Sequence, residues 1–199
     1  MPGVVRTTVG YTGGTTDTPN YHKIGNHSEA IRVEFDPQRI SYAQLLEVFW
    51  ASHDPGDDVY SRQYRNAVFY LNETQREEAE ASRKAMAEIA HERVFTALEP
   101  AGEFFAAEDY HQKYLLRKAA GIFREFQAIY PDAVNFAAST AAARINGYLG
   151  CNGEAEDLQR ELDQLGLSVQ MQTRLVEHVA SSCDQFAGLT CPSRKRVDL

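Results

Sequence analysis

Between Val9 and Pro55 the chain sets a glycine-rich turn, an aromatic–carboxylate cluster, a strand and a capped helix in one unbroken run. The alternation inside that run is the tightest constraint on the fold. Ile31, Val33 and Phe35 fall on one side of an extended chain and Arg32 and Glu34 on the other, because successive strand side chains point to opposite faces. A half-buried antiparallel strand fits the segment Ser28 to Pro37, and Asp36-Pro37 ends it. The β-branched stretch VVRTTVGY reads as the strand before it. Gly10, Gly13 and Gly14 then allow positive φ angles for a sharp turn.

Ser41 followed by Gln44 is a capping box that opens a helix over Tyr42–His53. Leu45, Leu46 and Phe49 form its inward stripe, with Trp50 at the edge. Tyr64–Leu71 is a third strand, and Thr74 with Glu77 caps a charged helix running to about Arg93. Ala79, Met86, Ile89 and Ala90 give that helix one apolar edge, and Val94–Glu99 is a fourth strand. Helical stretches start within 106–114, where Glu108 and Asp109 favour a helix N-terminus, and around 133–144. Past Gly153, Leu158, Leu162 and Leu165 and then Met171, Leu175, Val176 and Val179 mark two helices over 154–182. The expected class is α+β: antiparallel strands with helices on one face, a split βαβ sandwich lacking its first strand–helix pair. The expected division is residues 1–150, plus a helical tail over 151–199.

Composition excludes several partners. A net charge of −8 argues against a nucleic-acid or anionic-membrane surface. Arg194-Lys195-Arg196, the one dense basic run, reads as a solvated tail. No apolar run approaches the roughly 18 residues of a membrane span. The start, MPGVVRTTVGY, lacks the charged and apolar regions of a signal peptide. Three cysteines, an odd number, do not form a secreted disulfide framework, so a cytoplasmic setting is expected.

Tyr21, Tyr64, Tyr110, Glu29, Asp57, Asp58 and His27 gather around the ends of the predicted strands. A carboxylate held against tyrosines favours its neutral form and can donate a proton. Glu29 is therefore either such a donor or a solvated strand-edge carboxylate, and Tyr21 either chemistry or packing. GYTGG lacks the lysine of a phosphate-binding loop. The six histidines show no metal-ligand spacing, so no metal is expected. Cys151, in the turn GYLGCNG, is either an exchangeable thiol or inert; Cys183 and Cys191 flank a short loop.

VGYTGG, then NY, then HSE leading into a strand that ends DP, then ISYAQLLEVFWASHDP, SRQYRNAVFY and AEDYHQKY resemble the peptide methionine-S-sulfoxide reductases. The likeness covers residues 2–114, more loosely 115–150. It implies a ferredoxin-like fold and reduction of methionine S-sulfoxide, free or in proteins, by a cysteine or selenocysteine nucleophile. Glu29 takes the family's acid position, Tyr21 matches the tyrosine after the proline–asparagine turn and Tyr64 the tyrosine of QYR. Cys151 is the candidate resolving cysteine, and the external reductant is thioredoxin or dithiothreitol, with no bound cofactor. The loop from Tyr21 to Glu29 is about four residues shorter than in common members, and Asp58 is the nearest, offset counterpart of the family's buried aspartate. The family's Gly-Cys-Phe-Trp nucleophile motif precedes PGVV, and this chain starts at Met1-Pro2-Gly3-Val4-Val5. The chain as it stands is thus expected to be inactive or severely impaired, through either an interrupted reading of the gene, as at a selenocysteine codon, or a catalytically inactive binding or regulatory relative.

Overall fold

The computed structural model describes residues 1–183. Strand β1 (Val4–Thr12) is the centre of a sheet in the order β2–β1–β5, where β2 is Ser28–Phe35 and β5 is Phe105–Ala106. Both pairings are antiparallel, and β2 runs opposite nearly the whole of β1. On its other side β1 meets β5 only at Gly10 and Tyr11. Beyond that contact, side chains replace the missing strand. The Gln112 amide oxygen accepts from Val9 N–H at 3.1 Å, while its amide nitrogen donates to Val9 O at 2.9 Å and to Ala107 O at 3.0 Å. Lys113 Nζ donates to Thr7 O at 2.6 Å and to Thr7 Oγ1 at 3.2 Å. Thr140 Oγ1 donates to Val5 O at 2.6 Å. A buried strand edge must find partners for its amide groups, and three side chains supply them here.

Strands β3 (Ala67–Tyr70) and β4 (Ala97–Pro100) form a second, parallel pair joined through helix α2 (Glu73–Ala90). The antiparallel pairing read from the sequence is corrected at this point. A long helix returns the chain to the end where the first strand began, so the next strand runs the same way. The described residues thus hold two sheets rather than one split βαβ sheet. Helix α1 (Tyr42–Ala51) sets Leu46 and Trp50 in one core with Ala79 of α2 and Val68 of β3. Its Ser41–Gln44 capping box is present. Trp50 lies inside the stripe, not at its edge: it is buried, and its Nε1–H donates to Ser82 Oγ at 3.1 Å. Asn72, not Thr74, caps α2 by accepting from Gln75 N–H at 3.0 Å, because its short amide reaches the first turn from two residues earlier.

The rest is helical: α3 (Tyr114–Lys118), α4 (Ala120–Ile129), α5 (Ala133–Ala138), α6 (Thr140–Leu149), α7 (Ala155–Glu161) and α8 (Val169–His178). The sequence reading missed α4 and the two-residue β5, and the AEDYHQK segment forms turns before α3 rather than a helix. Leu158, Leu165, Met171, Leu175 and Val179 share one apolar core with Leu116, Phe126, Phe136 and Ile145. The tail helices therefore cover the helices that carry Thr140 to the edge of β1.

Two outcomes follow from that edge. Gln112→Leu keeps the volume but leaves Val9 N–H without a partner, and should cost about 2 kcal/mol of unfolding free energy. Urea denaturation measures it, and a loss below about 0.5 kcal/mol would show that Gln112 does not hold the edge. Lys113 is 5% exposed, and burial lowers its pKa from 10.5 to about 8. The unfolded chain then binds more protons than the folded one between pH 8 and 10.5, so stability should rise with pH across that window. Below it the full penalty, on the order of 3 kcal/mol, is present. The stability difference between wild type and Lys113→Met should therefore change in favour of wild type from pH 7 to pH 10, and a flat difference would refute the assignment.

Candidate active site

Tyr11 of β1 lies directly opposite Glu29 of β2. Opposed residues of an antiparallel pair share a face, so Glu29 stands on the Ile31–Val33–Phe35 face that the alternation defines. That face is not a closed core, since Ile31 is 60% exposed. Instead it borders a pocket of about 290 Å³ lined by Tyr11, Tyr21, Glu29, Ile31 and His111, with Gly10, Ala30 and Ala107 adding little bulk.

Two local devices bring these groups together. The first docks the Arg62–Tyr64 turn on the β1–β2 connection. Arg62 Nη2 donates to Gly13 O at 2.8 Å and its Nε to Asn26 O at 2.6 Å. Ser28 Oγ donates to Arg62 O at 2.7 Å and accepts from Arg65 Nε at 2.9 Å. Arg65 pairs with both carboxylate oxygens of Glu99, and this holds the Glu99 carboxyl below its usual range. Gly13 needs its positive φ of 76° here, and a Cβ would lie 2.3 Å from Phe69 of β3. Gly10 has an ordinary φ, and its glycine serves instead to clear Phe105 O. The consequence is that Gln63 Nε2 donates to Glu29 Oε1 at 2.8 Å. The Tyr64 phenol has its pKa raised, chiefly by the neighbouring Tyr21.

The second device is Glu108. Its Oε2 accepts from the Tyr11 hydroxyl at 2.6 Å and its Oε1 from Tyr21 N–H at 3.0 Å. Burial pushes its pKa up, but these donors, its own N–H and His111 outweigh burial, so the carboxyl lies below its ordinary value. Tyr11, 1% exposed, has its phenol pushed well above the ordinary range by burial and by Glu108. His111 Nε2 lies 3.9 Å from Glu108 Oε2, and its ring is 4.8 Å from that of Tyr21.

The site residues read from the sequence are thus partly together. Glu29, Tyr21 and Tyr64 converge, but Glu29 is exposed and bonded to Gln63 rather than sunk among phenols. Tyr110 packs on His111 near the pocket. Asp57 and Asp58 are exposed and do not line it. His27 is buried structure: its Nδ1 accepts from Gly14 N–H at 3.2 Å, leaving Nε2 to donate to Thr16 O at 2.8 Å. Cys151 and Cys183 form a disulfide with Cα atoms 5.2 Å apart, and neither lines the pocket. Cys191 and the basic run 194–196 lie outside the described residues. Sequence reasoning missed Tyr11, Gln63, Glu108 and His111 as site residues. VGYTGG holds Tyr11, QYR holds Gln63, and AEDYHQKY holds Glu108 and His111, so the motifs themselves were the signal.

Among the described residues no three His, Cys, Asp or Glu side chains are grouped to hold a metal ion, and no helix is long and apolar enough to cross a membrane. Carboxylate, phenol and amide donors around a small, partly apolar pocket suit a neutral substrate carrying a polar oxygen.

Comparison with known proteins narrows that choice. The model of the peptide methionine sulfoxide reductase family matches residues 1–139. A peptide methionine sulfoxide reductase of Drosophila melanogaster is 35% identical over 95% of this chain and 76% of its own length. A second relative, the peptide methionine sulfoxide reductase A5 of rice, is 38% identical over 74% of this chain and 60% of its own length. Methionine sulfoxide reductase A of Corynebacterium diphtheriae superposes with a TM-score of 0.51 at 32% identity, covering 60% of this chain and 66% of that one. Reduced Mxr1 of Saccharomyces cerevisiae gives 0.56 at 25% identity, covering 59% and 73%. Matched over residues 1–139 by the family's sequence pattern and along most of its length by the Drosophila relative, the chain belongs to the peptide methionine sulfoxide reductases.

Proposed function

We propose that the pocket receives the sulfoxide group of methionine S-sulfoxide, free or within a protein, for thiol-dependent reduction to methionine. The observation that carries this reading is the convergence of Glu29 and Tyr21 on one pocket, with Tyr64 beside Tyr21. A sulfoxide oxygen leaves sulfur only as it gains a proton. Glu29 is the proton donor in this reading, and the Tyr21 and Tyr64 hydroxyls steady the oxygen as it departs. Overall, one sulfoxide and two thiols give one thioether, one disulfide and water. A thiolate or selenolate attacks sulfur, and a second thiol resolves the oxidised nucleophile.

Cys151 and Cys183, bonded to each other and away from the pocket lining, are suited to that second, exchanging role and not to attack. An external dithiol of the thioredoxin type would then reopen their disulfide. The cytoplasm is the compartment such recycling requires. The same cysteine placement favours a second reading of the chain 1–199, as a module that binds sulfoxide without turning it over.

Two measurements separate these readings. Titration with the S and R epimers of N-acetyl-methionine sulfoxide amide, followed by NMR, should show binding that prefers S. Tyr21→Phe should weaken it roughly tenfold, as expected for one lost hydrogen bond to a polar ligand. Equal affinity for both epimers, or none for either, would remove the proposed substrate. The chain 1–199 assayed with the S epimer and dithiothreitol should show no turnover above the thiol alone. Turnover at ordinary enzyme rates would place the nucleophile among its own three cysteines.

A further inference from the structure

Glu108 is a carboxylate that the reduction does not use, yet it touches two parts of the pocket that are far apart in the chain. Tyr11, 97 residues away, and Tyr21, 87 residues away, both direct donors to it. Each oxygen takes one donor, so the carboxylate fixes the loop that carries Tyr21 to the central strand of the sheet. The same loop is pinned at its far end by Asn26, which accepts from Thr15 N–H at 2.8 Å, and by His27. No other hydrogen bond ties the Tyr21 backbone to the sheet among the described residues.

We propose that Glu108 is the positioning residue of this site: through Tyr11 it locates the backbone of Tyr21, and so the Tyr21 hydroxyl, relative to Glu29. The proposal rests on the sulfoxide-binding reading for its consequence, though not for its geometry. The chemistry calls for a carboxylate at this place. Two donors converge on one side chain, and only an ionised carboxyl offers two acceptor oxygens at once. A glutamine would keep one oxygen for Tyr21 N–H and present its amide N–H to the Tyr11 oxygen, so the link would persist without a charge to strengthen it. Removal of the Tyr11 hydroxyl cuts the link to the central strand.

The test uses 15N-labelled chain 1–199, with the Tyr21 amide resonance and the affinity for the S epimer as paired readouts. Glu108→Ala should move the Tyr21 amide, speed its exchange with solvent and weaken S-epimer binding about tenfold, in line with one lost charge-assisted hydrogen bond. Resonances of α7 and α8 should stay in place. Glu108→Gln should be intermediate. Tyr11→Phe should reproduce the Glu108→Ala shift of the Tyr21 amide, and Tyr11→Phe combined with Glu108→Ala should add little to either alone, which a merely structural role for Glu108 would not show. An unmoved Tyr21 amide in Glu108→Ala, or effects of the two changes that simply add, would overturn the proposal. If the wild-type chain binds neither epimer, the substrate reading fails by itself, while the amide readout still decides whether Glu108 holds Tyr21.

Discussion

Every other element is arranged around the need of β1 to satisfy its backbone on both sides. β2 satisfies one side along the strand, but the opposite side finds a strand for only two residues. Where the remaining backbone groups are shielded from water, leaving them without partners would cost about 1–3 kcal/mol each. Gln112, Lys113 and Thr140 meet that need, the first two from the turn before α3 and the third from the start of α6. The helical core over 116–179 then holds the chain that presents them. Lys113 carries the penalty of a buried cation that, among the described residues, has Thr7 oxygens and no carboxylate as hydrogen-bond partners. Its backbone also sits in the left-handed region, at φ 53°.

The pocket is a by-product of the same arrangement. The turn that follows β5 brings Gln112 and Lys113 to β1, and it carries Glu108 and His111 four and one residues earlier than Gln112. Tyr11, at the one place where β1 pairs with β5, therefore meets Glu108. On the other flank the Ser28 hydroxyl, with no exposure, joins Arg62 and Arg65. That buried hydroxyl stands next to Glu29 in sequence, so the tie between the two sheets also sets Gln63 against Glu29. The geometry of the pocket is held by backbone satisfaction from one side and a guanidinium–carboxylate pair from the other.

Local chemistry was legible where it was strongly periodic or used short-range bonds. The β2 alternation, the Ser41–Gln44 box and the Leu158–Leu165 and Met171–Val179 spacings all correspond to observed elements. The short β5 has no alternation to read, because two residues are less than one period of any signal. The cap of α2 moved to Asn72 because two polar residues competed within one turn and the amide makes the better-placed acceptor. Trp50 was misplaced because its burial depends on Ser82, a partner 32 residues away.

From the residues alone came the two alternating strands and the mixed class of the fold, because these rest on spacing along the chain, while the family resemblance pointed to Glu29, Tyr21 and Tyr64. Only the tertiary structure decided that β3 and β4 run parallel, that Cys151 meets Cys183, and that Glu108 links Tyr11 to Tyr21. Those pairings join residues 30 to 97 positions apart. No local periodicity encodes such a partner. It is chosen when the whole chain closes and each buried donor must find an acceptor within about 3 Å.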